Sequence, residues 1–365
     1  MLPVLPFYTR AVIWWGPFNR HLHTRVIELF SGFLVSYNGA VGWLKGESEL
    51  INKEMMRAMQ EKNKQTRLLL EDEALRDGLQ IESQIFTIEQ KIEFFELLKK
   101  SGVKRIQVGS FVHPEIVPQM ADSDELIKAL GKQEDTVISA LILNSRGLDR
   151  ALACAVPHVS MSVSISDSHS RKNARRSAAE ALILMVDLIK NARTQGLEVR
   201  AGLQSAFGCV YEGAISERAV LAAAEKMISA GVNEINLADS SGMANPLSIR
   251  SLVKLVTREF PDLRISLHLH DTRGLGLANM FSGYEAGVRV FDVCAGGLGG
   301  CPFIKGAAGN VPTEDAVHMF ETMGIDTGIR LKPLVEAVAY LEKTLNRRLP
   351  GRMSRVLSFQ QSCNV

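Results

Sequence analysis

Two histidines one residue apart, His268 and His270, sit in the stretch SLHLHDTRGLG (266–276), an apolar run that ends in an aspartate and glycines. Alternate side chains of a strand share a face, so the two imidazoles lie on one side, about 7 Å apart along the chain. Such a pair can hold a divalent metal if a third ligand arrives from elsewhere. Without one, the ordinary reading is a hydrogen-bonded core histidine beside an exposed one. Three other places offer chemistry of matching kind: Arg76 and Asp77 in LRDGLQ, Cys301 in GGLGGCPFIKGAAGN, and Asn310 at the end of that glycine run.

What must position these residues is a regular alternation. From Leu68 onward, short β-branched runs such as RLLLEDEA, VKRIQVGSF, TVISALIL and HVSMSVSIS are each followed by a longer amphipathic segment. EVRAGLQS, VNEINLAD, RISLHLH and VRVFDVCAG continue the series, and glycines such as Gly102, Gly196, Gly231, Gly287 and Gly324 stand where helices should end. Eight strand–helix units predict a (β/α)8 barrel over 67–329, whereas a doubly wound sheet more often stops at five to seven strands. A short helical tail is expected over 330–365.

In such a barrel the reactive groups lie at the C-terminal ends of the strands. The polar residues at those ends are Arg76, Asp77, Gln107, Asn144, Asp167, Gln204, Asp239, His268 and His270, with Cys301 and Asn310 in the loop after the eighth strand. Closure sets the first strand beside the last two, which lets Asp77 approach His268 and His270. Asn310 can add a carbonyl oxygen. This mixed nitrogen and oxygen set suits Mg2+, Mn2+, Fe2+, Co2+ or Zn2+. Asp239 and Gln204 are expected to orient ligands without touching substrate.

The 365 residues, 46% hydrophobic, are enough for one large core or two medium ones, and a formal charge of +2 is too balanced to argue for nucleic acid or a membrane surface as the main partner. Five scattered cysteines without a C-x-x-C argue against a disulfide scaffold and for a reducing compartment. A cytoplasmic setting of bacterial type is expected ahead of a mitochondrial matrix. Cys154, Cys209 and Cys294 read as core residues. Residues 1–66 hold all three tryptophans and no clear period. Their apolar stretch LFSGFLVSYNGAVGWL is short of the ~20 residues that span a bilayer. They read as an extension of little fold content, with Met55, Met56 or Met59 as an alternative start.

The stretches LRDGLQIES, SFVHPEIVPQMADSDEL, LHLHDTRGLGLAN and GGLGGCPFIKGAAGNVPTEDAVHMFETMGIDTGI together resemble the hydroxymethylglutaryl-CoA lyase branch of the metal-dependent lyase and carboxyltransferase barrels. SRKN, GLQSAFGCVYEG and LADSSGMANP fit as well. The resemblance implies that Asp77, His268, His270 and Asn310 are ligands of a divalent cation, with Mg2+ or Mn2+ expected. It implies that Arg76 is the enolate-stabilising arginine, and that Cys301 is a thiol on a mobile loop over the bound thioester. The implied reaction is retro-Claisen cleavage of a 3-hydroxy-3-carboxymethyl acyl-CoA to acetyl-CoA and a keto acid such as acetoacetate. The residue types suit it: a metal lowers the hydroxyl pKa, a guanidinium stabilises the enolate, and Cys301 or His268 can move a proton.

Arg171, Lys172 and Asn173 in SRKN are either a solvated helix start or a CoA-phosphate contact, and the glycine run with Lys305 is a second candidate phosphate cradle. A homodimer or larger homo-oligomer is the fold-level expectation. One departure from the family bears on the chemistry: Gln107 stands where the family carries a glutamate in the second strand, which removes a negative charge near the metal and the arginine. Asp72 replaces another glutamate, and Ser83 a position that is often basic. Two further readings follow: a Claisen-condensing synthase or carboxyltransferase on the same barrel, and a non-catalytic relative in which Gln107 has ended turnover.

Overall fold

In the computed structural model, residues 68–301 and 304–363 are described, with the backbone alone at 300–301, 304–308, 358 and 360–363. The expected extension over 1–66 lies outside the described residues. Eight parallel strands close on themselves: β1 Leu69–Asp72, β2 Arg105–Ser110, β3 Val137–Ile142, β4 His158–Ser164, β5 Glu198–Gln204, β6 Glu234–Asp239, β7 Arg264–Leu269 and β8 Val290–Val293. The register that closes the barrel sets Glu71 of β1 opposite Arg105 of β2 and Asp292 of β8. The barrel belongs to a compact unit, Thr66–Val365.

The surrounding helices are α1 Ile88–Ser101, α2 Ser123–Leu130, α3 Ser145–Ala153, α4 Asp167–Ala174, α5 Ala178–Thr194, α6 Glu217–Ser229, α7 Pro246–Glu259, α8 Gly276–Glu285 and α9 Thr313–Thr322. Local sequence explains several of their starts. Thr87 and Gln90 form a capping box at α1, Ser177 and Glu180 another at α5, and Asn245 caps α7 ahead of Pro246. Apolar residues at helical spacing then face inward, as with the buried Phe94, Phe95 and Leu98 of α1. Two tail helices follow, α10 Leu331–Leu345 and α11 Arg352–Cys363. The first lies along α1, where Tyr340 stacks on Phe94 and donates its hydroxyl to the Gln90 carbonyl at 3.3 Å.

Two features were absent from the sequence reading. SRKN does not open the long helix after β4 but lies in a separate short one, α4, because Arg175 adopts a left-handed φ of 56° that ends it before Ser177 starts α5. The loop after β8 contains an antiparallel pair, β9 Gly300–Cys301 and β10 Ile304–Ala308.

The inside of the barrel is charged, although layers of branched apolar side chains are the usual filling. Arg105 pairs with Glu71 and with Glu234, while Arg200 pairs with Glu71, Glu73 and Asp292. Burial costs each of these ions its hydration, and mutual pairing offsets that cost. Burial, followed by Arg105, pushes the His158 imidazole down to about 4, so it sits neutral among them and meets Ser139 Oγ at 3.0 Å. The network forms a rigid polar floor under the strand ends.

Candidate metal centre and active site

The chain leaves β1 through one turn, Ala74–Gly78, in which the Glu73 carbonyl accepts N–H groups from Arg76, Asp77 and Gly78. Leu79 N–H reaches back five residues to Ala74, so the turn is one residue wider than an α-helical one. This widened turn directs both Arg76 and Asp77 over the end of the barrel. Arg76 donates from Nε to Gln107 Oε1, from Nη1 to Asp77 and from Nη2 to Glu73. Gln107, buried on β2, is fixed in turn by donating Nε2 to Ser160 Oγ at 3.1 Å.

Two strands round the closed barrel from β1, β7 ends at Leu269, and His270 forms an isolated antiparallel bridge with Asn310. His268 Nε2 and His270 Nε2 face each other at 3.2 Å. One ligand atom each from Asp77, His268 and His270 lies within 4.8 Å of the others. Asn310 donates Nδ2 to Asp77 Oδ2 at 2.8 Å and to the Leu298 carbonyl at 3.2 Å, which leaves its Oδ1 as the atom of the amide able to meet a cation. Gly299, at φ 102°, makes this approach possible, because a Cβ there would lie 2.7 Å from Asn310 Nδ2.

The electrostatics match a cation site. Burial would raise Asp77, but the neighbouring Arg76 guanidinium holds it below the usual carboxylate range, so it is an anion. Burial and the adjacent His268 hold His270 down to about 4, which leaves a neutral ring with a lone pair. Burial would also lower His268, but its Nδ1 faces Asp292 Oδ2 at 3.3 Å and Glu73 Oε2 at 3.5 Å, and these push it up to about 10. The carboxylates that favour a proton on this imidazole equally favour a divalent cation at Nε2. His270 Nδ1, the ring nitrogen turned away from His268 Nε2, is buried with no hydrogen-bond partner. The donor set of Asp77, His268, His270 and Asn310 therefore fits the implied cation.

Other residues from the sequence reading have different places. Asp271, directly behind the histidines, accepts the Gly276 N–H at 2.8 Å at the start of α8. Asn144 caps α3 through the Gly147 N–H at 2.9 Å. Asp239 accepts from Met243 and Ala244 N–H at 2.8 and 3.0 Å and so shapes the loop after β6, and Gln204 donates to Ser162 Oγ at 3.0 Å. Asp167 takes Arg171 Nε and the Ala178 N–H. Lys172 Nζ lies 3.7 Å above the Tyr211 ring, and Asn173 meets His169 Nε2 at 2.7 Å. Cys301 and Lys305 are placed by backbone on β9 and β10, and their side chains lie outside the described residues. Cys209 and Cys294 are buried as expected of core residues, whereas Cys154 is half-buried beside Asp124.

Three residues at the site were missed by sequence reasoning: Glu73, Asp292 and Arg200. The signal for Asp292 and Arg200 was a charge inside a strand otherwise composed for burial, in VFDV and EVRAGLQ, whereas Glu73 directly follows the strand LLED.

A closed parallel barrel with an acid, two imidazoles and a guanidinium at its strand ends defines a barrel enzyme with a candidate metal centre. The model of the HMGL-like family matches residues 67–340. A (R)-citramalyl-CoA lyase of Chloroflexus aurantiacus is 39% identical over 294 residues, covering 78% of this chain and 93% of that relative. A hydroxymethylglutaryl-CoA lyase of Bacillus subtilis is 37% identical over 281 residues, with 77% and 94% covered. The structure of an HMG-CoA lyase from Acinetobacter baumannii, in complex with coenzyme A and 3-methylmalate, matches with TM-score 0.75 at 35% identity, covering 80% of this chain and 95% of that one. The chain belongs to the HMGL-like family, and it is an acyl-CoA lyase that cleaves a carbon–carbon bond. Among the described residues no helix is long and apolar enough to cross a membrane.

Proposed function

We propose that the chain cleaves hydroxymethylglutaryl-CoA, or a related tertiary 3-hydroxyacyl-CoA carrying a free carboxylate, to acetyl-CoA and a keto acid. The observation that carries this reading is the convergence of Asp77, His268 and His270, whose ligand atoms lie within 4.8 Å of one another, with Arg76 bonded to Asp77 at its edge. Mg2+ or Mn2+ held by Asp77, His268, His270 and Asn310 would bind the substrate hydroxyl and carboxylate and lower the hydroxyl pKa.

Cleavage converts the C–OH carbon to a carbonyl as the hydroxyl proton passes to the base form of Cys301, while the broken C–C bond's electron pair becomes the thioester enolate. Arg76 is anchored at three nitrogens and presents a fixed positive charge to that enolate. Gln107 keeps Arg76 Nε in place without adding charge. Cys301, on the hairpin after β8, is assigned the proton that turns the enolate carbon into the acetyl methyl group. Arg171, Lys172 and Asn173 of α4, and Lys305 of β10, are assigned to the phosphates of CoA, with Lys172 already set against Tyr211. The outer helices are assigned to a homo-oligomeric contact.

A second acyl group is favoured by a specific observation: the citramalyl-CoA lyase relative is 39% identical over 78% of the chain. The test is keto-acid release from hydroxymethylglutaryl-CoA and from (R)-citramalyl-CoA, with Mn2+ and with EDTA, on wild type and on His268→Ala. Metal-dependent acetoacetate or pyruvate release, lost in the variant, identifies the acyl group. No release from either substrate by folded, metal-loaded protein overturns the reading.

A further inference from the structure

Glu73 is the last residue before the widened turn, and its side chain is 1% exposed. Its carboxylate faces three cations or potential cations. Oε2 accepts from Arg76 Nη2 and lies 3.5 Å from His268 Nδ1, and Oε1 accepts from Arg200 Nη2 at 2.8 Å. Arg200 also pairs with Glu71 and Asp292, so one end of Glu73 is held by the polar floor of the barrel. The other end joins the guanidinium proposed to meet the enolate to the back of a histidine proposed to meet the cation. Gln107 completes the set from β2, but as a neutral amide.

We propose that Glu73 is a positioning residue, which locks Arg76 against the metal face and supplies from the end of β1 the negative charge that Gln107 lacks on β2. A carboxylate at 107 would be the third on Arg76, beside Glu73 and Asp77, and three like charges crowded on one buried guanidinium repel. The neutral amide of Gln107 is thus matched by the carboxylate of Glu73 on the same guanidinium.

The inference rests on the functional reading above, and the experiment separates the two. Glu73→Gln, Gln107→Glu and the double variant are compared with wild type for kcat and KM on the substrate that wild type cleaves. Mn2+ affinity of the metal-free proteins is measured by titration calorimetry, with circular dichroism as the check on folding. Glu73→Gln is expected to lower kcat about 100-fold with a smaller change in KM, and to weaken Mn2+ binding about tenfold. Gln107→Glu is expected to be no faster than wild type, and the double variant, which moves the charge from β1 to β2, to regain at least tenfold in kcat over Glu73→Gln.

Wild-type kcat and Mn2+ affinity in Glu73→Gln would overturn the proposal, as would a gain in kcat from Gln107→Glu alone. If Glu73→Gln does not fold, the double variant against Gln107→Glu decides: equal or higher kcat supports the proposal, lower kcat overturns it. If wild type cleaves neither substrate, the functional reading fails, and the Mn2+ titrations still decide whether Glu73 positions His268.

Discussion

His268 Nε2 and His270 Nε2 point at each other across 3.2 Å, at the place where Asp77 and Asn310 also converge. Two nitrogens cannot meet lone pair to lone pair, so a proton or a cation must lie between them. Mn2+ at one hundred times its Kd is expected to stabilise the fold by about 2.7 kcal/mol, a rise in Tm of about 4 °C. Differential scanning calorimetry with Mn2+ and with EDTA measures it. The same rise in His270→Ala would remove the pair from the site.

Arg76 uses three nitrogens on three acceptors, the Gln107 amide and the Asp77 and Glu73 carboxylates. A lysine ammonium keeps the charge but cannot hold the plane between them. Arg76→Lys is expected to lower kcat about 100- to 1000-fold while KM for the acyl-CoA changes far less. Steady-state kinetics reads this directly, and a variant within threefold of wild type would show that the fork geometry is dispensable.

Gly299 and Gly287 separate backbone strain from site geometry. Both have positive φ, 102° and 109°, but an added Cβ meets Asn310 Nδ2 at 2.7 Å only at Gly299, while Gly287 faces open space. Each alanine variant should lose about 1–3 kcal/mol of stability through strain. Only Gly299→Ala should weaken Mn2+ binding, because only there is Asn310 displaced. Equal Mn2+ affinity in the two variants would remove Asn310 from the ligand set.

Burial pushes the Glu314 carboxyl up from 4.5 to about 8, and its Oε2 accepts the Gly296 N–H at 2.9 Å. The folded state therefore holds a proton that the unfolded chain has released, and stability falls as pH rises between these two values. Buried Asp72, Asp239 and Asp292 are pushed only to about 6, so from about pH 6.5 to 8 Glu314 shares the window with His268, whose value of about 10 in the metal-free fold gives a slope of the same sign. Glu314 contributes at most about 1.4 kcal/mol per pH unit to the slope there. Glu314→Gln keeps the acceptor and removes the titration, so urea melts should show a flatter slope and higher stability at pH 8. An unchanged slope would place the proton elsewhere.

The eight strand–helix units were legible because their signals are local: period-two and period-3.6 patterns, caps such as Asn245, and glycines after helices. His268 and His270 announced themselves through the spacing of a single strand, and Arg76 and Asp77 through their place just after the first. The sequence by itself therefore determined the barrel and the residue types at its open end. Only closure decided which groups meet: Asn310 with Asp77 across 233 residues, Arg200 with Glu73 across 127, and Asp292 with His268 through the β7–β8 register. Those pairings depend on strand tilt and stagger around a closed sheet, which no local pattern encodes. For the same reason Gln107 reads in the sequence as a lost charge, while in the folded chain it stands beside the carboxylate of Glu73, with Arg76 between them.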